Sequence, residues 1–240
     1  MLVKHKNRLK LDWVAKYFAH YLCALTMSIT STSLAANSAP WLGYDFNGVV
    51  CQGGGQGFGP YDYRTATTYQ RHIVESFHFY PDIEFLKGGK AGEISPSFNI
   101  PVNLDYTLRA LPNHHRALLT IIRFQLKANN KVIKEHLITP VECYFQRALN
   151  FSKDDPVVYF LYGYYLHKVG RLNKAKEMFE KSLNISPNSV KTQYAYGLLL
   201  IDLKQYDEAL EFAKKVYEQG DFHPGLRIRL KKLGIWKEDP

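Results

Sequence analysis

Cysteine is scarce in this chain of 240 residues, with three in all, and no Cys/His spacing of a structural zinc site occurs. No Gly-x-Ser-x-Gly marks a nucleophile elbow, and neither Cys51 nor Cys143 stands in a catalytic setting. The glycine run Gly53 to Gly59 lacks the Lys-Ser/Thr of a P-loop and a clear flanking strand and helix, and Gly88-Gly-Lys-Ala is no better, which speaks against nucleotide binding. Long apolar runs are also missing. The apolar stretch from about Tyr17 to Ile29 is short of the roughly 20 residues of a membrane span and is diluted by His20. Charge of one sign is not concentrated in the body of the chain. The formal charge is +9, but Lys4, Lys6, Arg8, Lys10 and Lys16 face only Asp12 in the first 35 positions, so the remainder carries +5. That is mild and implies no nucleic-acid partner. From these absences we expect no catalytic residue, no metal and no cofactor.

What is present is a globular composition, 46 % hydrophobic and 14 % aromatic, sufficient for a real core. Residues 1–36 read as a signal peptide: a basic start, the apolar stretch, then Ser33-Leu34-Ala35-Ala36 with small residues for cleavage after Ala35 or Ala36. The expected location is therefore the periplasm, and the alternative is an inner-membrane anchor formed by the same segment left uncleaved. Cys23 lies inside the apolar stretch rather than at its end, so lipid attachment there is not expected. Removal of the segment leaves Cys51 and Cys143, an even number in an oxidising compartment, and a disulfide between them is expected. It would close a loop of roughly ninety residues, worth about 4 to 5 kcal/mol in the chain-entropy model. Two buried thiols are the alternative, because spacing does not show proximity.

Two segments match at an offset of 34 residues: Gly163 with Gly197, Leu172 with Tyr206, Ala175 with Ala209. The stretch Pro156 to Pro187 resembles the tetratricopeptide (TPR) pattern through Gly163, Gly170, Ala175, Phe179 and Pro187. Gly163 and Ala175 are small where two helices approach, Phe179 fills the space between them, and Gly170 makes the turn. Pro187 stops the second helix. The copy from Val190 to about Gln219 has Lys204 where the turn glycine stood and ends at Gly220-Asp221 without the proline. Upstream, Val141 to Asp155 with Phe145 and Ala148 looks like the second helix of a preceding unit whose first helix is Asn113 to Leu126; the link Lys127 to Thr139 is long, so this unit is degenerate. Leu226, Leu230 and Leu233 predict a capping helix from Pro224 to about Trp236. The domains expected are thus 37–111, 112–155, 156–189, 190–221 and 222–240, giving a mostly α fold: a short TPR-type helical-hairpin solenoid behind an irregular N-terminal lobe rich in aromatics and glycine. That lobe, 37–111, holds thirteen aromatic residues and only short helical patterns, such as Pro81 to Leu86 and Leu104 to Arg109.

The TPR resemblance implies that the first helix of each repeat faces a concave groove, showing Val157, Phe160, Tyr164, His167 and Lys168, then Lys191, Tyr194, Leu198, Ile201 and Asp202. The expected partner is a protein or peptide segment with apolar anchors, since the Lys and Asn that clamp a C-terminal carboxylate in some relatives are replaced by Phe160 and Tyr164. The groove could instead be filled by aromatics of the lobe. The histidines that invite a metal are His72, His78 beside Glu75, His114 and His115, and capping or packing is their ordinary role. A second function class is a small enzyme or ligand site in the lobe around Tyr61-Asp62-Tyr63-Arg64 with His114 or His115. A third is weak contact of Arg227, Arg229, Lys231 and Lys232 with an anionic envelope surface. Finally, Gly59-Pro-Tyr-Asp-Tyr-Arg64, Leu104 to Leu118 and Glu142-Cys-Tyr-Phe-Gln-Arg-Ala148 resemble a group of exported Gram-negative TPR proteins, which implies architecture and location and no particular activity.

Overall fold

The computed structural model describes residues 38–87, 99–129, 136–220 and 223–237, so the segment read as a signal peptide lies outside the described residues. The described residues form ten helices: α1 Thr68–His78, α2 Pro81–Glu84, α3 Ile100–Ala110, α4 His115–Asn129, α5 Val141–Phe151, α6 Pro156–Lys168, α7 Leu172–Ile185, α8 Val190–Asp202, α9 Tyr206–Glu218 and α10 Gly225–Lys232.

Local chemistry fixes where the repeats start and stop. The Asp155 carboxylate accepts from Val157 N at 3.1 Å with Pro156 entering the first turn of α6, and Ser189 Oγ accepts from Thr192 N to start α8. Helix α6 ends on Gly170 in the left-handed region (φ 77°), and Arg171 N donates to Leu166 O at 2.8 Å. Helix α8 ends the same way: Gln205 N donates to Leu200 O at 2.9 Å around Lys204, at φ 61°. A lysine there costs roughly 1–2 kcal/mol relative to the preferred right-handed region. The repeat geometry is kept in spite of the lost glycine.

Packing within the repeats rests on two glycine notches. A Cβ on Gly163 would stand 2.9 Å from Phe179 Cδ1, so the α6–α7 pair closes only around a missing side chain. At the 34-residue offset Phe179 becomes Ala213, and a Cβ on Gly197 would instead meet Leu226 Cδ2 at 2.8 Å. The fully buried Leu226 of the cap thus supplies to the second repeat the apolar contact that its own α9 lacks. One core runs from Phe79 and Ile83 in the lobe through Phe145, Leu166 and Phe179 to Leu226 and Leu230 in the cap. The cap helix stops at Lys232 rather than near Trp236, whose ring returns onto Tyr217 at 5.6 Å.

The lobe is less irregular than its composition suggests. Residues 38–67 contain no helix, but α1 and the full length of α3 were outside the sequence reading, which allowed only a short helix at Leu104 to Arg109. A capping box between Thr67 and Gln70 starts α1, and Asn99 accepts from Val102 N at 3.1 Å to start α3. The irregular part is fastened to α5. Cys51 and Cys143, 92 positions apart in sequence, form a disulfide with Cα atoms 5.4 Å apart. Buried Arg147 donates to Ala39 O and Leu108 O, both at 2.6 Å, and to Gln56 Oε1 at 2.8 Å, with Trp41 over its guanidinium at 4.9 Å. Burial and nearby Arg109 bring its pKa down to about 10. Both ends of the glycine run serve packing: Gly53 lies against the Trp41 ring and Gly59, at φ 88°, against Ala110 O.

A polar knot joins the lobe to α4 and α5. Asp62 accepts from Arg64 Nη2 at 2.7 Å, Asn113 Nδ2 at 2.8 Å and Ser152 Oγ at 3.0 Å. Asp155 takes Asn113 at 2.9 Å and His115 at 2.8 Å, while Arg64 also reaches Asp154 at 2.9 Å. Burial opposes charge on Asp62, but these donors together outweigh it and hold the carboxyl well below the usual range. His114, fully buried under Tyr63, accepts from Ala117 N on Nδ1 at 3.1 Å and bonds Glu75 through Nε2 at 3.0 Å. An acceptor role for Nδ1 assigns the proton to Nε2, the neutral tautomer. Burial lowers the His114 pKa, with Glu75 opposing in part. Of the residues named for a lobe site, Asp62, Arg64, His114 and His115 are therefore engaged by partners within the fold.

Two predictions follow from the packing. Leu226→Ala should destabilise the chain by about 2–5 kcal/mol in denaturant titration, because it empties the Gly197 notch; a change below 0.5 kcal/mol would show that the cap is not part of the core. The pH dependence has a definite sign. His114 binds its proton less readily folded than unfolded, so its contribution is whole above about pH 6.5 and declines as pH falls toward the lowered folded value. Asp62, Glu75 and Glu84, all lowered, contribute above about pH 4 and are lost below it as pH falls through their folded values. Melting temperature should fall in two stages on acidification, and His114→Asn should flatten the first; an unchanged first stage would refute the assignment.

Candidate binding groove

Helices α6 and α8 occupy matching places in successive repeats, and residues four apart on each share one side. Phe160, Tyr164, His167 and Lys168 of α6 face Lys191, Tyr194, Ala195, Leu198 and Asp202 of α8 across a cavity of about 550 Å³, which His223 and Arg229 complete from the cap. A second cavity of about 290 Å³ adjoins it, sharing Phe160 and Lys191 and reaching Val157, Pro156, Leu119 and His115. The concave surface therefore continues from the repeats onto α4. Phe160, Tyr164, Tyr194 and Leu198 are half-buried, their backs against the core and their fronts in the cavity.

Of the ten residues named from the repeat register, eight line the first cavity: Phe160, Tyr164, His167, Lys168, Lys191, Tyr194, Leu198 and Asp202. Val157 lines the second. Ile201 does not reach the groove: it is buried in the core at 5 % exposure. No described residue of 38–111 lines either cavity, so the described part of the lobe does not fill the groove. Its aromatics use another side of α6, where Phe46 stacks on Tyr165 at 6.0 Å and Arg171 covers Phe46 at 3.9 Å, while Trp41 meets Tyr144 at 5.4 Å.

The contribution of the cap is what sequence reading missed. Asp202 accepts from Arg229 of α10 and lies 2.7 Å from His167 Nε2. The Arg229 hydrogen bond lowers the Asp202 pKa, burial opposes it, and His167 adds to the lowering. Arg229 is thus engaged inside the groove rather than offered to an envelope surface, and Arg227 stacks on Tyr217 at 4.0 Å and Trp236 at 4.9 Å. The basic surface read on the last helix loses two of its four members. A signal for the Arg229 contact was present only in the lone acid at the end of α8, since the pairing spans 27 residues.

The remaining histidine candidates have local partners. His72 Nδ1 lies 3.0 Å from Ser76 Oγ, and His78 bonds Asn103 at 2.9 Å while stacking on Tyr106. Among the described residues no three His, Cys, Asp or Glu side chains converge as a metal site would need.

Comparison with known proteins agrees with the helical-hairpin reading. Residues 134–216 match the family model described as anaphase-promoting complex, cyclosome, subunit 3. Superkiller protein 3 of Saccharomyces cerevisiae is 26 % identical over 90 residues, which is 38 % of this chain and only 6 % of that protein. Among solved structures, MamA is 18 % identical with a TM-score of 0.39, covering 57 % of this chain and 70 % of its own. YrrB, described as a TPR protein with an unusual peptide-binding site, is 21 % identical with a TM-score of 0.41, covering 55 % of this chain and 64 % of its own. The 34-residue offset, the paired helices α6–α7 and α8–α9 and the glycine notches make α6 to α9 a tetratricopeptide-type repeat array, and the family match falls across them.

Proposed function

We propose that this chain is an exported interaction module that holds a segment of another polypeptide in the groove of α6 and α8, as part of an assembly in the cell envelope. The repeat array as such is a protein-interaction scaffold. The observation that carries the finer reading is the aromatic floor. Phe160, Tyr164 and Tyr194 are mounted on rigid helices and line an open cavity that no described part of the lobe enters. Aromatic side chains fixed in this way offer contact area with few rotors left to freeze, the property of a binding surface with extended or helical apolar anchors. Export is supported by two independent features, the N-terminal segment and the buried Cys51–Cys143 disulfide, a bond that persists in oxidising compartments.

Replacing Tyr164 and Tyr194 by Ala should abolish most photocrosslinking to a partner from a reactive group placed at Ala195, while leaving the melting temperature within a few degrees. Undiminished crosslinking by the folded variant would sink the groove reading. Location has a separate test. A cleaved, exported chain released by osmotic shock carries Cys51 and Cys143 only, and should show no free thiol before reduction and two after it. A chain anchored by its uncleaved segment retains Cys23 and shows one before reduction. Recovery in the cytosol with Cys51 and Cys143 both free would refute export.

A further inference from the structure

The charges of the two repeats are divided by face. Between Pro156 and Gln219 the acids are Glu177, Glu180, Asp202, Asp207, Glu208, Glu211 and Glu218. All but Asp202 lie on α7 and α9, the outer helices, where lysines accompany them. The inner helices α6 and α8 carry Asp202 alone, and Arg229 and His167 already occupy its carboxylate. Among the described residues no other acid lines either cavity of the groove. Lys168 and Lys191 are exposed and have no carboxylate within ion-pair distance among the described residues; Lys168 lies over the Tyr164 ring at 5.4 Å.

We propose, on the reading of the groove as a peptide site, that the segment it takes is acidic: an aromatic or aliphatic anchor flanked by carboxylates that meet Lys168 and Lys191. The two lysines bracket the floor. Lys191 is in the first turn of α8 and Lys168 is level with Asp202 at its end, roughly 16 Å apart along the axes at 1.5 Å per residue. Extended chain covers about 3.3 Å per residue, so the carboxylates belong roughly four to six residues apart with the anchor between them. The ammoniums supply selectivity and encounter rate, and the tyrosines supply contact area. A basic segment is refused, since Lys168 and Lys191, the charges of the groove without a carboxylate partner among the described residues, are both positive.

The test pans a random dodecapeptide display library against the immobilised chain, residues 37–240, and against two variants. The parent should enrich peptides with Asp or Glu four to six apart around Phe, Leu, Tyr or Trp. Lys168→Gln/Lys191→Gln should enrich the same anchors without the acids, and Tyr164→Ala/Tyr194→Ala should enrich neither. In fluorescence anisotropy, changing the two acids of an enriched peptide to Gln should weaken its binding to the parent about tenfold, or about 1.4 kcal/mol, and its binding to the lysine variant less than twofold. Enrichment of neutral or basic anchors by the parent, or an acidic preference that survives in the lysine variant, overturns the charge inference and leaves the groove reading standing. Enrichment of the same peptides by the tyrosine variant, or no enrichment by the parent, overturns the groove reading itself.

Discussion

The arrangement depends on one buried guanidinium. Arg147 is 2 % exposed on α5, and its acceptors are Ala39 O, Leu108 O, Arg109 O and Gln56 Oε1. A buried cation strongly prefers to keep all its hydrogen-bonding partners, because leaving its donors bare costs several kcal/mol. Those partners come from three stretches of the lobe, so the lobe closes around α5 or the charge is stranded. The disulfide at Cys143, four residues earlier on the same helix, holds the next part of the lobe to the same helix. With its described part committed to α5 and the adjoining side of α6, the lobe contributes no described residue to the concave side of α6 and α8.

Much of this was legible in the sequence, for physical reasons that differ by feature. Gly163 and Gly197 are readable because a Cβ there would meet a neighbouring side chain inside 3 Å, and Ala175 and Ala209 because both are fully buried; their spacing carries the fold. The groove residues follow from the register once the repeat is known. The disulfide was legible by parity of cysteines, though not by proximity. Helix α1 was not legible, because Val74 is its one fully buried residue while Tyr69 and Phe77 are 69 % and 68 % exposed, which obscures any periodic apolar face. Its signal was the Thr67–Gln70 capping box rather than periodicity. The side on which the lobe packs was unreadable as well: aromatic content predicts burial, and only the partners of Arg147 decide the face.

The substitution at Lys204 shows what the array tolerates. The turn after α8 keeps the left-handed conformation and the hydrogen bonds of the turn after α6, although its residue now has a Cβ. Local preference yields there because α8 and α9 are held by the core on both sides of the turn. The opposite holds at Phe179 and Ala213, where side-chain volume lost from α9 has been restored from the cap by Leu226. Backbone geometry is conserved between the two repeats at a local cost, whereas apolar volume is free to come from any element that can reach the notch.

Asp202 joins the fold to the character of the groove. It occupies the last residue of α8, the end where the helix dipole disfavours an anion, and it is the one acid on the inner face. Alone it would offset the attraction of Lys168 and Lys191 for a carboxylate. Arg229 and His167 remove that effect, and Arg229 belongs to the cap, the same helix whose Leu226 completes the core of the second repeat. Docking of α10 therefore has two consequences at once: it buries the leucine that closes the array, and it pairs the one acid that the described residues place in the groove. A repeat array without this helix would lose stability and, at the same time, the positive character of its concave face.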